Sequence, residues 1–356
     1  MKSITETIGG AQMLLDISYD LQSCFEEKLN KEHICFLHML RVIEEAVSPP
    51  KKVYAGTGRR GYEFQSFIRS FLGMRYYRID TVRDCIKRLH TDSTFRMLLG
   101  FKKIPSETTF SRRFKELCES RLLTKGLDYL AETYHREHTV IHINRDSTAI
   151  PAREKAVKKK PVKNDKKGVK PGKTKQSTVE IQCTQDPHMS LAALETQCSY
   201  GCKKNSQGNV WFWKGYKLHL DVTDTGFPVT ALVTGANVHD SQAAIPMEKL
   251  SAQKVKHCYS LMDSAYDAQP IREYILSQGR VPVIEQNRRR RTHLHPFDPA
   301  KRERYKMRTY VERANSHLKE WLLPRALFVR GYTKVSGILM CAVLCLATLK
   351  SLHSLS

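Results

Sequence analysis

Residues 305–321 read YKMRTYVERANSHLKEW, and within them Tyr305, Arg308, Glu312 and Lys319 follow one another at steps of three, four and seven. At about 100° of rotation per residue, the four fall within roughly 60° of arc on a helix. The stretch therefore predicts a long helix from about Arg304 to Leu323 that carries one polar ridge. An ordinary amphipathic helix also has a polar face, and an Arg–Glu pair at i,i+4 contributes only a few tenths of a kcal/mol. That plain reading covers Arg308 with Glu312 and leaves Tyr305 and Lys319 on the same line to be explained.

Working outward, two acids stand at the ends of β-rich runs. HTVIHIN (138–144) stops at Asp146, and HCYSLMDSAYD (257–267) ends its apolar part at Asp263. A lone Asp at a strand end is ordinarily a turn former, but in an open α/β sheet the strand ends line the ligand crevice. YKLHLDVTD, Gly226 and FPVTALVTG (216–235) read as a hairpin. Helices are expected over Ser241–Leu250 and through IREYILSQG (271–279), with a short strand VPVIEQ (281–286) and an apolar C-terminal helix, Val335–Leu349, after them. Beside His239, Asp240 reads as the N-cap of the helix beginning at Ser241 rather than as a metal ligand. Strands interleaved with helices behind a leading hairpin predict a mixed α/β sheet covered by helices.

The first 135 residues read as helical, and the sharpest segment is STFRMLLGFKKIPSETTFSRRFKEL (93–117). Gly100 ends one helix, Ser106 opens the next, and Phe110, Phe114 and Leu117 form its inner stripe, which turns Arg112 and Lys115 outward. Two short helices joined this way, over 92–118, are helix-turn-helix-like, and the second would enter a major groove. Helix pairs of this kind also occur in purely structural bundles.

Charge points to a polyanionic partner. The 356 residues carry 59 Lys and Arg against 36 Asp and Glu, a formal net charge of +23, with 41% hydrophobic residues. That is enough apolar content for a packed core, and nucleic acid is the first partner such a balance suggests. Two stretches hold more than half of the excess: 153–175 (net +9, including Lys158, Lys159 and Lys160) and 288–304 (net +5, including Arg288, Arg289, Arg290 and Arg291). The first reads as a loop or tether, compatible with a solvated linker and with phosphate contact.

Other classes fall away. MKSITETIGGAQ lacks the layout of a secretory signal. The 15-residue run Val335–Leu349 is shorter than the ~20 residues a bilayer span needs, so no membrane partner is expected. The ten cysteines read mostly as reduced core thiols of a cytoplasmic compartment. Cys183, His188, Cys198 and Cys202 offer a zinc site only weakly, since paired CxxC spacing is absent.

With these residues in view, the chain resembles the insertion-sequence DDE transposases, a bacterial group with a ribonuclease-H-like catalytic core. Tyr305, Arg308, Glu312 and Lys319 match the group's Tyr-x2-Arg-x3-Glu-x6-Lys signature. INRDSTAIPAREK, GYKLHLDVTDTGFPVTALVTGANVHDS and MDSAYDA look like its first-Asp, hairpin and second-Asp segments. The similarity covers about Val140 to Lys350, and GFKKIPSETTFSRRFKEL more loosely resembles the group's N-terminal domain. The resemblance implies a ribonuclease-H-like domain over 136–356 behind an all-α DNA-binding domain over 1–135. It implies a catalytic, metal-binding triad of Asp146, Asp263 and Glu312, with Tyr305, Arg308 and Lys319 as accessory residues. The first Asp is expected on a central strand, the second on its neighbour, and the Glu reaching in from a helix. Arg112, Arg113 and Lys115, together with the two basic stretches, are the expected double-stranded DNA contacts. Synapsis of two ends implies a homodimer, in a cytoplasmic, nucleoid-associated setting.

The residue types agree with that chemistry independently. Three converging carboxylates repel one another unless a cation joins them, and hard oxygen ligands suit Mg²⁺ or Mn²⁺ rather than zinc. Two such ions could serve hydrolysis and strand joining alike, since both are in-line attacks at phosphorus. Tyr305 would pack on the backbone or bond a phosphate. Two other readings stay open: a non-catalytic DNA-binding descendant of such an enzyme, and a nuclease of the same fold that cuts without joining.

Overall fold

The computed structural model describes residues 29–47, 49, 61–136, 139–157, 176–204, 207–287 and 297–353. The chain divides into two units, one of residues 1–136, 313–329 and 333–356, the other of residues 137–312 and 330–332.

Among the described residues, the N-terminal part of the first unit holds six helices: α1 (Lys31–Ala46), α2 (Phe64–Tyr76), α3 (Val82–Thr91), α4 (Ser93–Leu99), α5 (Glu107–Glu119) and α6 (Leu122–Tyr134). Their starts follow side-chain chemistry. Asn30 accepts from the His33 amide at 2.8 Å, and Asp92 accepts from the Phe95 amide at 2.8 Å. Gly100 ends α4 at φ 78°, a left-handed conformation that glycine enters without strain. Phe110, Phe114 and Leu117 are the buried stripe of α5. Phe110 and Phe101 meet Phe67 edge-on at 5.1 and 5.4 Å.

Among the described residues, the second unit is a mixed α/β structure on one six-stranded sheet, consistent with a ribonuclease-H-like domain. In chain order it runs β1 (Val140–Pro151), α7 (Thr178–Thr184), α8 (Pro187–Ala192), β2 (Ser199–Lys204), β3 (Val210–Val222), β4 (Pro228–Gly235), α9 (Ser241–Lys254), β5 (His257–Met262), α10 (Gln269–Ser277), β6 (Val281–Ile284), α11 (Pro299–Tyr305) and the first four residues of α12 (Thr309–His317), whose remainder is counted in the first unit. β1 lies between antiparallel β3 and parallel β5, with β6 outside β5. β2 pairs with residues 210–215 of β3, and β4 with residues from 216 onward. Ala244 and Ile245 of α9, Ile271 and Ile275 of α10, and Met262 and Ile284 of the sheet form one buried cluster. Burying such side chains contributes about 1.5–3 kcal/mol each. Gly215 lies where β3 faces Pro151 of β1, and a Cβ there would collide with the Ile150 carbonyl oxygen.

Three expectations change. β1 does not stop at Asp146: DSTAIP continues it to Pro151 by pairing with residues 215–220 of β3, so ladder pairing overrides weak local strand propensity. The expected long helix is present as uninterrupted helical backbone to Leu322, but its winding varies, through α11, a 3₁₀ turn over Lys306–Arg308, α12 and a π-helical turn over Leu318–Leu322. A 3₁₀ turn advances about 120° per residue and a π turn closes at i→i+5, so the rotation is not uniform, yet Arg308 stays 6.0 Å from the Tyr305 ring centroid and 3.1 Å from Glu312. The C-terminal helix, α13, spans Tyr332–His353. It is long and apolar enough to cross a bilayer by composition, yet 72% of its most apolar window is buried inside the protein.

Candidate active site

The strand register builds the centre of the site. Asn144 pairs with Leu261 across the parallel β1–β5 ladder, so Asp146 and Asp263, each two residues further on, reach the same level and the same face. Asp146 sits within β1, held by β3 on its other side. Asp263 directly follows β5 and caps a 3₁₀ turn over Ser264–Tyr266, accepting from the Ala265 amide at 3.0 Å. Burial, then the negative charge of Asp146, pushes the Asp263 carboxyl up to about 6, against the pull of Arg308. A buried carboxyl held up by a neighbouring negative charge is a place where added positive charge is favoured.

Arg308 supplies part of it. Its guanidinium lies 3.4 Å from the Asp146 carboxylate and 3.1 Å from that of Glu312, which is more than half exposed. The Tyr305 hydroxyl donates to Glu285 at 3.2 Å. Burial raises the Tyr305 phenol, so it stays protonated at neutral pH. Lys319 falls in the π-helical turn of the first unit.

The three acids therefore do not converge as a ready cage. Among the described residues no three His, Cys, Asp or Glu side chains come together to hold a metal ion. Arg308 bridges Asp146 and Glu312 instead, with its guanidinium 3.4 Å from the one and 3.1 Å from the other. The Asp146–Asp263 pair nonetheless fits a hard divalent cation, through two adjacent oxygen donors of which one is kept from ionising freely. The possible zinc cluster is likewise not assembled: the Cys183 thiol donates to the Val179 carbonyl at 3.3 Å, and Cys202 is exposed.

Sequence reasoning missed the charges that support this pair. Asp240 occupies the N-cap position of α9 without capping it. Its carboxylate instead accepts from the Lys217 ammonium at 2.9 Å, with His219 at 4.0 Å. Burial works against the Asp240 charge, and His219, Lys217 and the Ser147 side chain together more than offset it, while burial pushes His219 down to about 4. Behind Asp146, the fully buried Arg145 makes a bidentate pair with Asp221 at 2.6 Å and reaches Glu248 at 3.2 Å and the Ala244 carbonyl at 2.9 Å. Glu248 also meets His257 at 3.0 Å and accepts from Ser260 at 2.9 Å. One network thus ties β1, β3, β5 and α9 from beneath the site. An Arg at the end of the β-rich run 138–144 was its only local signal.

Of the expected DNA contacts, Arg112 and Lys115 are exposed on α5. Arg113 is half-buried and bonded to Glu116 at 2.6 Å, and Lys115 pairs with Glu119 at 3.7 Å. Lys158, Lys159, Lys160, Arg288, Arg289, Arg290 and Arg291 lie outside the described residues.

The family described as "Transposase DDE domain" matches residues 142–348, and "Transposase domain (DUF772)" matches residues 23–116. No curated protein and no solved structure matches the chain.

Proposed function

The chain belongs to the transposase DDE-domain family, and on that premise we propose that it is the transposase of a bacterial insertion sequence. It binds the element's terminal inverted repeats, cleaves the DNA ends by metal-dependent hydrolysis, and transfers the freed 3′-hydroxyls to target DNA. The observation that carries this reading is the level pair Asp146–Asp263, with its raised carboxyl and Arg308 alongside. A catalytic triad of Asp146, Asp263 and Glu312 would hold Mg²⁺ or Mn²⁺, two ions in the full site. Those ions would supply the positive charge that stabilises negative charge developing at phosphorus.

The chain's own groups have separable roles. Arg308 turns its guanidinium from the acids to a phosphate oxygen, where a bidentate fork is strongest. Tyr305, neutral and bonded to Glu285, buttresses Arg308. Lys319, Arg112, Arg113, Lys115 and the basic stretches at 158–160 and 288–291 grip backbone phosphates, so binding weakens steeply with salt. The reaction runs in a cytoplasmic, nucleoid-associated setting, in a synaptic homodimer that brings two ends together.

A strand-transfer assay with cognate end DNA and Mg²⁺ tests this. Wild type is expected to cleave and join, and Glu312→Gln to lose both by about a hundredfold or more. Binding without cleavage would make the chain a DNA-binding descendant. Cleavage without joining would make it a nuclease, and cleavage unaffected by Glu312→Gln would remove Glu312 from the site.

The raised Asp263 carboxyl predicts a linked effect. Because its folded pKa lies above the ordinary carboxylate range, at about 6, the stability it contributes is full at low pH and is lost as pH rises through 6. A divalent cation should reverse that loss. Saturating Mg²⁺ is expected to raise the melting temperature by roughly 2–4 °C at pH 7.5 and to do almost nothing at pH 5. An equal shift at both pH values would place the ion elsewhere.

A further inference from the structure

Helix α2 ends in an arrangement that calls for glycine and carries arginine instead. The Ile79 amide donates to the Met74 carbonyl at 2.8 Å and the Arg78 amide to that of Arg75 at 3.3 Å, the paired bonds of a Schellman motif. Arg78 fills the position after the cap at φ 54°, a left-handed conformation that strains a residue with a Cβ and leaves glycine unstrained. The backbone alone favours glycine here, so the reason for arginine lies in its side chain.

That side chain is exposed, and its guanidinium carbon lies 3.7 Å from the centroid of the Trp321 ring. Trp321 belongs to the π-helical turn over Leu318–Leu322 and is itself 50% exposed. His317, one turn earlier, meets the Trp321 ring edge-on with centroids 6.5 Å apart. Arg313 stands exposed one further turn back on α12. All four residues belong to the first unit. A guanidinium laid on a ring is held through its face, while the N–H groups at its rim stay available. Among the described residues those N–H groups meet no acceptor. Asp80, the acid nearest in sequence, accepts instead from the Arg325 amide at 3.4 Å.

The ligand that suits such a group is a phosphate. A guanidinium fork bonds phosphate oxygens two at a time, and holding the fork in advance reduces the side-chain entropy lost on binding. Arg313 and His317 extend the row along the helix in steps of about 6 Å, which suits a polyanion rather than one small anion. The net charge of +23 favours the same partner. We propose that the Arg78 guanidinium, held on Trp321, binds a backbone phosphate of duplex DNA; the choice of DNA as the polyanion rests on the transposase reading. Trp321 is a positioning residue that touches Arg78 and not the phosphate. A contact of this kind carries no sequence information, so it acts on any duplex.

Full-length protein in EDTA would be titrated with a labelled random-sequence duplex at several salt concentrations, and each variant would also be melted without DNA. Arg78→Ala and Arg78→Gly are both expected to bind about fivefold more weakly at the lowest salt. Both should also lose about one unit from the slope of log K against log salt, whereas Arg78→Lys should keep the slope. Their stabilities should nonetheless differ. Glycine fits the left-handed position, so Arg78→Gly is expected to melt roughly 2 °C or more above Arg78→Ala. Trp321→Ala should bind about threefold more weakly with the slope retained, and Trp321→Phe should recover most of that loss. A wild-type slope in Arg78→Gly would overturn the phosphate site. So would an affinity that recovers with the melting temperature from Ala to Gly, which would make Arg78 a clamp within its unit. The two readings fail separately: a protein that shows the Arg78-dependent slope but never cleaves element ends refutes the transposase reading alone. One that cleaves and joins while its Arg78 variants bind like wild type refutes the phosphate site alone.

Discussion

Asp263→Asn is expected to reduce DNA end cleavage by roughly a thousandfold or more while leaving the metal-free protein as stable as wild type, or more so. The two effects come from the same geometry. Asp263 stands level with Asp146 on the neighbouring strand, and burial together with that neighbour holds its carboxyl up to about 6. At pH 7.5 the native chain therefore keeps an ionised group where neutrality is preferred, at a cost in stability. Asparagine removes the charge and keeps the shape, and its amide oxygen can still accept from the Ala265 amide as the carboxylate does at 3.0 Å. The oxygen donor pair for a divalent ion is meanwhile lost. Calorimetry in EDTA and a cleavage assay in Mg²⁺ on the same preparation decide the matter. A melting temperature several degrees below wild type would make Asp263 a structural residue. Cleavage within tenfold of wild type would move the site elsewhere.

That each acid stands near the end of a strand was legible in the β-rich runs HTVIHIN and HCYSLM, whereas their placement on neighbouring strands followed only from the family resemblance and is set by the β1–β5 register. What continues β1 past Asp146 was not legible, since Asp, Ser and Pro are poor strand formers and only the partner strand β3 makes them one. The ridge over residues 305–319 was read with a single rotation per residue, which holds between Arg308 and Glu312, still paired at i,i+4. The 3₁₀ and π turns on either side change that rotation, although Arg308 keeps its place 6.0 Å from the Tyr305 ring centroid. Asp240 looked like a cap because caps are a local pattern, whereas its partner Lys217 is 23 residues away in sequence. Trp213 and Trp211 are two residues apart and chemically alike, yet Trp213 packs over Gly201 and against Ala149 and Ala236 on distant segments while Trp211 stays exposed, which no local pattern signals.

Arg145→Met should be the most damaging single change to stability in the second unit, about 3–5 kcal/mol, read as a fall in the urea midpoint. Arg145 is fully buried, and its guanidinium faces Asp221 and Glu248, both with fully buried side chains. These partners lie 76 and 103 residues away in sequence. Methionine fills much of the same space but leaves Asp221 without its bidentate cation, and Ser251 is no substitute for a charge. The loss is thus chiefly that of an uncompensated buried carboxylate rather than of the pair's net worth, which desolvation makes small. It follows that neutralising the acids as well should return much of the stability. Arg145→Met combined with Asp221→Asn and Glu248→Gln is expected to recover at least half of the lost midpoint. Cleavage need not follow, because Arg145 also bonds the Ala244 carbonyl at 2.9 Å and so fixes the backbone beside Asp146 against α9. A triple variant that regains stability but cleaves at least tenfold more slowly would identify Arg145 as a positioning residue. One as unstable as Arg145→Met alone would show that packing, not charge, makes the site rigid.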